Sequence, residues 1–196
     1  MRHLALVGDS IFDNAAYVPD GPAVIDHIRT LLPKGWAATL VARDGDVVAD
    51  VEEQLQQLPD DTTHIALSIG GNDALNAQDV FSLPADSVFS ALGRLAEMQG
   101  GFHRAYRDML WNVLLLQKPT VVCTIYDAVP GLSREARSAL SLFNDVICRE
   151  AMAAGVAVVD LRALLQEADD YSAISPIEPS AKGGEKIARA LTTMLR

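Results

Sequence analysis

The chain has 196 residues, 49% hydrophobic and 21% charged, so it is long enough for one domain with a single core and too apolar for long disordered segments. Its formal net charge of -10, without any cluster of Lys or Arg, argues against nucleic acid as a partner. No apolar run could span a bilayer and no signal sequence precedes the first strand, which favours a cytoplasmic protein unless an export signal has been removed.

Hydrophobic periodicity divides the chain into alternating strands and helices, with Pro and Gly at the boundaries. Short apolar runs predict five strands, at 3–7, 36–42, 64–69, 120–126 and 156–159. Amphipathic segments predict five helices, at 22–32, 47–58, 102–116, 133–154 and 185–195. Cys123 and Cys148 fall inside a strand and a helix, so we expect two buried, reduced thiols. Because no repeat or linker interrupts the pattern, residues 1–196 are expected to form one domain.

Residues 74–101 are the least regular part of the chain. A periodic piece follows a proline, and the Gly-Gly pair at 100–101 is expected to break it before the next helix. This segment is a candidate lid or specificity loop. Phe81, Phe89 and Trp111 could line a pocket for an acyl chain, but aromatic residues at helical spacing more often belong to the core.

The alternation of strands and helices predicts an α/β fold. Such connections are right-handed crossovers, which produce a parallel sheet covered by helices on both faces. We therefore expect a three-layer α/β/α sandwich with a five-stranded, flavodoxin-like parallel sheet. Periodicity alone does not determine the strand order, for which 2-1-3-4-5 is a common arrangement.

Polar loops follow the first three predicted strands and carry Ser10, Gly45 and Asn72. In a sheet of this kind, the loops at the carboxyl ends of the strands meet at one edge, where ligands bind. A serine hydroxyl can act as a nucleophile in acyl transfer. The backbone N–H groups of Ser10 and Gly45 and the Asn72 side-chain amide could stabilise the oxyanion of the tetrahedral intermediate. The sequence thus predicts a site equipped for acyl transfer.

Four sequence blocks resemble the SGNH (GDSL-like) hydrolases. They are Gly8-Asp9-Ser10, an isolated Gly45, Gly70-Gly71-Asn72-Asp73 and a tail similar to the last block of that family. The resemblance implies the SGNH hydrolase fold and hydrolysis of carboxylic esters of lipids, acylated sugars or small acyl groups, without a cofactor. It also implies the nucleophile and oxyanion roles of Ser10, Gly45 and Asn72. The different motif Gly-x-Ser-x-Gly is absent, so an α/β-hydrolase fold is not supported.

The last block departs from the family pattern. The family has Asp-x-x-His-Pro followed by Gly, and its histidine is the general base. The matching run here is Ser175-Pro176-Ile177-Glu178-Pro179-Ser180-Ala181-Lys182-Gly183. Glu178 therefore falls where the histidine belongs, and Ser175 falls where the aspartate belongs.

A carboxylate can serve as the general base, because the reaction needs only a group that accepts the hydroxyl proton and returns it to the leaving oxygen. A normal Glu is a weaker base than His, so burial near Ile177 would have to raise its pKa. A carboxylate has no tautomer to fix, which is consistent with the joint loss of Asp and His. We therefore hypothesise that Glu178 is the base.

The four histidines are alternative bases. His3 and His64 begin strands, at the edge of the sheet opposite Ser10, and His27 lies within the first helix, so structural or surface roles are expected for all three. His103 follows the Gly-Gly pair and could reach the site if the irregular segment folded over it. It is the one histidine kept as a candidate.

Two other functions compete with a serine esterase acting on a small-molecule ester. One is a binding protein that keeps the cleft but lost proton transfer together with the histidine. The other is a flavodoxin-like nucleotide binder, which the negative charges of Asp9 and Asp13 in the first loop disfavour. No residue cluster has the spacing of a metal site. The oligomeric state is not determined by the sequence.

Overall fold

The computed structural model describes residues 2–195, which form a five-stranded sheet flanked by helices. The strands are β1 (Arg2–Gly8), β2 (Trp36–Leu40), β3 (His64–Ser68), β4 (Thr120–Cys123) and β5 (Ala157–Val159). The helices are α1 (Val24–Leu31), α2 (Val51–Leu55), α3 (Gly71–Asn76), α4 (Val88–Leu115), α5 (Arg134–Ala153), α6 (Leu161–Leu164) and α7 (Ala181–Met194). Short 3₁₀ turns lie at Ala15–Tyr17, Val48–Asp50, Ala77–Ser82 and Ala168–Asp170.

All paired strands are parallel, in the order β2-β1-β3-β4-β5. The expected 2-1-3-4-5 order is therefore confirmed. The order changes direction at β1, whose neighbours are β2 and β3. Ligands of doubly wound sheets bind outside the carboxyl ends of the strands at such a point.

Alternate residues of β1 supply the two cores of the sandwich. Leu4 and Leu6 face one side and pack in a core with residues of α1 and α7, whereas Ala5 and Val7 face the other and pack with residues of α2, α4 and α5. This alternation follows from the two-residue period of a strand. Both faces of the strand are covered, which is consistent with its apolar run from Leu4 to Val7, and the three-layer α/β/α sandwich is confirmed.

Helix α4 corrects the prediction for residues 74–101. It runs without a break from Val88 to Leu115, through the Gly-Gly pair that was expected to end it. Buried residues at helical spacing, including Phe102, Tyr106 and Val113, anchor the helix to the sheet. Their burial outweighs the helical penalty of about 1 kcal/mol for each glycine.

Several local predictions were also wrong. Phe89 and Trp111 are mostly exposed, so neither belongs to the core. Cys123 and Cys148 are free thiols as expected, but only Cys123 is buried.

Within residues 2–195, none of the helices is both long and apolar enough to cross a membrane.

Candidate active site

Gly8 sets the position of the Ser10 loop at the end of β1. Its φ is 136°, and a Cβ there would lie 1.7 Å from the Ser68 carbonyl oxygen, so only glycine fits. This close approach lets the Asp9 backbone N–H donate to the same oxygen at 3.0 Å. Ser10 follows directly and is buried, beside the end of β3.

Gln54 holds this loop from α2 and was missed in the sequence. It is fully buried, and its side-chain amide exchanges two hydrogen bonds with the Gly8 backbone, at 2.8 and 2.7 Å. It also donates to Asp46 Oδ2 at 2.6 Å, which ties the end of β1 to the loop after β2. The available signal was its spacing, because Gln54 falls three residues after Val51 on the apolar face of its helix.

Asn72 lies in the first turn of α3, just after β3. Its Nδ2 donates to the Asp46 carbonyl oxygen at 2.9 Å, which leaves one amide hydrogen for a ligand. Asp73 accepts a hydrogen bond from the Val48 backbone N–H at 3.1 Å, which orders the loop after β2. Asn72 and Ser10 line the same cavity.

Gly45 is less closely associated with Ser10. It is exposed, with φ of 87°, and it is not among the residues that line the Ser10 cavity. The preceding Asp44 backbone N–H donates to Asp13 Oδ2 at 3.0 Å, so this turn is fastened to the loop that carries Ser10. Within residues 2–195, the backbone N–H groups of Ser10 and Gly45 have no hydrogen-bond acceptor.

Glu178 contacts the Ser10 hydroxyl directly. Ser10 Oγ donates to Glu178 Oε1 at 3.0 Å, and the Glu178 residue is only 4% exposed. Its other carboxyl oxygen is buried and has no partner among the described residues. Ser175 reaches Glu178 through its backbone, since its carbonyl oxygen accepts the Glu178 N–H at 3.0 Å.

Two buried side chains, Asn14 and Tyr126, position the loop that carries Glu178. Asn14 donates to the Pro179 carbonyl oxygen at 3.0 Å and accepts from the Val24 N–H at 2.9 Å. The Tyr126 hydroxyl donates to the Ile177 carbonyl oxygen at 2.5 Å. The residues on either side of Glu178 are thus both held by hydrogen bonds, and one of these bonds comes from Asn14 in the loop that carries Ser10.

Burial raises the pKa of Glu178 to about 7, although the hydrogen bond from Ser10 lowers it and the charge of Asp44 raises it further. Burial also raises the pKa of Asp9 to about 8. Asp9 Oδ1 accepts from the Ile11 N–H at 3.1 Å, and Oδ2 has no partner among the described residues. Two carboxyl groups with raised pKa values, those of Asp9 and Glu178, therefore line the same cavity as Ser10.

The site opens into a cavity of about 310 Å³. Asp9, Ser10, Asn72 and Glu178 contribute its polar end groups, and most of the other lining residues are apolar. No described residue that lines it is a Lys, Arg or His. Phe81 is part of this lining, half exposed, rather than part of the core.

The four histidines lie elsewhere. His3 bonds to Asp61 at 2.7 Å and to Thr39 at 2.8 Å, at the opposite edge of the sheet from Ser10. His103 pairs with Glu150 at 2.5 Å, which joins α4 to α5. Neither His27 nor His64 lines the cavity.

The carboxylate oxygens of Glu167, Asp169 and Asp170 lie within 4.8 Å of one another, close enough to coordinate one metal ion. Lysine side chains already occupy it: Lys182 contacts Glu167 and Asp169, and Lys186 contacts Asp170 at 2.7 Å. The cluster therefore forms ion pairs at the start of α7.

The sequence profile of the GDSL-like lipase/acylhydrolase family matches residues 6–186. The chain belongs to this family. In this GDSL-like protein the family match includes the Ser10 loop, the Asn72 loop and the Glu178 loop. No curated protein matches the sequence.

Solved structures show that the fold of this GDSL-like protein is shared. An extracellular lipase from Streptomyces rimosus has a TM-score of 0.69 at 20% identity, with 99% of each chain covered. A phospholipase A1 from Streptomyces albidoflavus has a TM-score of 0.68 at 18% identity, with 98% of each chain covered. An acetyl xylan esterase from Geobacillus stearothermophilus has a TM-score of 0.71 at 16% identity, covering 98% of this chain and 94% of the other.

Proposed function

We propose that this protein is a serine esterase that hydrolyses carboxylic esters through an acyl-serine intermediate, with Ser10 as nucleophile and Glu178 as general base. The observation that carries the proposal is the hydrogen bond of 3.0 Å from Ser10 Oγ to Glu178 Oε1, in a buried site that opens into a cavity. This distance is within the range for direct proton transfer. Family membership supports the same reaction class.

The reaction has two halves. As Ser10 Oγ attacks the ester carbonyl carbon, its proton passes to Glu178, and the carbonyl oxygen becomes negative. Glu178 then gives the proton to the leaving oxygen, which releases the alcohol and leaves the acyl group on Ser10. Water attacks the acyl-serine with Glu178 again as base, which frees the carboxylic acid and restores the hydroxyl.

The negative oxygen of each tetrahedral intermediate needs hydrogen-bond donors. The Ser10 backbone N–H and the remaining Asn72 amide hydrogen are the first two candidates, since both residues line the cavity. The Gly45 N–H is the third candidate, and it requires the substrate to reach the exposed turn after β2. Removing one such donor typically lowers kcat by about 10² to 10³.

The test compares Ser10→Ala, Glu178→Gln and the exposed control Glu52→Gln in hydrolysis of p-nitrophenyl acetate, together with labelling by a fluorophosphonate. We expect labelling at Ser10, and a fall in kcat of about 10² to 10⁴ for Glu178→Gln, because that is the usual contribution of a general base. Glu52→Gln should retain activity. Full activity of Glu178→Gln, with Ser10→Ala inactive, would exclude Glu178 as the base.

A binding protein is the second candidate function. The observation in its favour is that no histidine is among the described residues that line the cavity. This function predicts neither hydrolysis nor fluorophosphonate labelling at any pH.

A further inference from the structure

One wall of the Ser10 cavity comes from helix α5. Ala136, Ala139, Leu140 and Phe143 all line the cavity. Their spacing of three, four and seven residues places them on one face of the helix. Two of the four are alanines, so this face leaves open space between the helix and the site.

Another part of the lining comes from the segment after Asn72. Leu75 in α3, then Val80 and Phe81 in the 3₁₀ turn, line the cavity together with Met98 of α4. Asn72, the candidate oxyanion donor, is thus on the same helix as part of this lining. A substrate whose carbonyl oxygen faces Asn72 would have the apolar residues of α3 beside its carbonyl carbon.

Polar groups on these walls are few and mostly engaged. The Ser133 hydroxyl caps α5 by accepting the Ala136 N–H at 3.1 Å, and the Tyr126 hydroxyl donates to the Ile177 carbonyl oxygen. Gln78 is exposed. A sugar needs hydrogen-bond partners for its hydroxyls, and a phosphate needs cations. No described residue that lines the cavity is a Lys, Arg or His. The lining is therefore suited to a hydrocarbon chain.

The volume sets the length of chain that fits. The cavity measures about 310 Å³. A methylene occupies roughly the volume of a water molecule, about 30 Å³, so the space corresponds to about ten heavy atoms. An acetyl group would leave most of this space empty, and a chain of more than about ten carbons would extend beyond it into solvent.

The direction of the chain follows from Glu178. The leaving oxygen must face Glu178, and the neighbouring Ile177 lines the cavity and is 40% exposed, so we place the alcohol on this more open side. The acyl group then extends between α3 and α5. We propose that the cavity binds the acyl chain, and that the preferred substrates are neutral esters of linear fatty acids of about six to ten carbons. This inference rests on the proposed esterase function.

The main experiment measures kcat/KM for p-nitrophenyl acetate, butanoate, hexanoate, octanoate, decanoate and dodecanoate below their aggregation concentrations. We expect a rise of about fourfold per added methylene until the cavity is filled, and no rise beyond decanoate. Ala139→Phe should lower the octanoate-to-acetate ratio about tenfold or more, because the ring occupies the space of the chain. The control Ala153→Phe, exposed on the same helix, should leave the ratio unchanged.

Two results would overturn the inference while leaving the esterase function intact. One is equal kcat/KM for acetate and octanoate. The other is a preference that follows the alcohol, seen as faster hydrolysis of octyl acetate than of ethyl octanoate. If Ala139→Phe does not fold by circular dichroism, Ala136→Leu takes its place.

If no ester is hydrolysed, the proposed function fails, and binding decides the inference separately. Calorimetry with the Ser10→Ala variant then compares octanamide with acetamide. Tighter binding of octanamide, weakened by adding Ala139→Phe, supports an acyl pocket. Equal or absent binding of octanamide overturns it.

Discussion

The last sequence block predicts that Glu178 takes the position of the family's histidine, and the surroundings of Glu178 offset much of the difference in basicity between the two residue types. A normal Glu has a pKa near 4.3 and a normal His near 6.5. Burial raises the pKa of Glu178 to about 7, so the carboxyl group titrates in the range in which an imidazole would. The environment thus makes a weak base usable near neutral pH.

This shift predicts the pH profile of the proposed esterase. Only the ionised Glu178 can accept the Ser10 proton, so kcat/KM should rise with pH through a midpoint of about 7. The charge of Asp44 helps to raise the pKa of Glu178, so Asp44→Asn should move the midpoint to lower pH. Asp86→Asn is an exposed control that should not move it. An unchanged midpoint in Asp44→Asn would show that another group titrates.

Asp9 predicts a pH dependence of stability. Its pKa is raised to about 8 in the folded protein, above its value in the unfolded chain, so the folded state holds the proton more tightly. Its contribution to stability is complete below about pH 4 and is lost as the pH rises through about 8. Asp9→Asn removes this titration.

Urea unfolding of the wild type and Asp9→Asn at pH 5 and pH 8 measures the effect. The free energy of unfolding of Asp9→Asn minus that of the wild type should be larger at pH 8 than at pH 5, because only the wild type loses stability as Asp9 ionises. One pKa unit corresponds to about 1.4 kcal/mol, so the change should be readily measured. The same difference at both pH values would contradict the prediction.

At the scale of elements, helix α4 is the clearest case for a stability prediction. Gly101 lies in its interior, and a Cβ there would have no heavy atom within 4 Å. Gly101→Ala should raise the free energy of unfolding by about 0.5 to 1 kcal/mol, because alanine loses less conformational freedom in a helix. Thermal unfolding measures this change.

The matched comparison is Gly70→Ala. Gly70 has φ of 117°, and its Cβ would lie 3.1 Å from the Phe102 ring, so this substitution should destabilise the protein. A destabilised Gly101→Ala would mean that α4 is interrupted in solution at the Gly-Gly pair.

The same elements show why some of the site was predictable and some was not. Ser10 and Asn72 follow directly after strands, and parallel strands bring their carboxyl ends to one edge, so a local pattern sufficed. The Gly100-Gly101 break was wrong because tertiary burial of residues such as Phe102 outweighs local propensity. Gln54 was missed because its partners, Gly8 and Asp46, are distant in sequence.

Glu178 shows the remaining limit of the sequence. The sequence predicts a carboxyl group in the position of the base, but the distance from this group to Ser10 depends on how the last loop packs. That packing comes from Asn14 and Tyr126, whose hydrogen bonds join residues far apart in the chain. No spacing within the last block encodes those contacts.

At the scale of the whole molecule, charge predicts which esters react well. The protein has a net charge of -10, and Asp9 and Glu178 are the charged residue types among the described residues that line the cavity. Above about pH 8, where both carboxyl groups are ionised, an anionic ester should therefore be repelled, whereas a neutral ester should not. Added salt screens this repulsion.

The measurement compares kcat/KM for a neutral ester, methyl butanoate, with an anionic one, monomethyl succinate, from low to high NaCl. The value for the anionic ester should be lower at low salt and rise several-fold, while that for the neutral ester stays nearly constant. Equal salt dependence of the two substrates would show that the protein field has no part in selection.

The amide of Asn14 connects the loop of Ser10 with the loop of Glu178, whereas the apolar walls of α3 and α5 make no side-chain hydrogen bond to either residue. The hydrogen bonds that connect Ser10, Glu178 and their loops therefore do not involve the side chains of the apolar walls. Substitutions among the apolar residues that line the cavity can therefore change its shape without removing these hydrogen bonds. Such substitutions would change which acyl groups the cavity accepts, while the proposed chemistry at Ser10 stays the same.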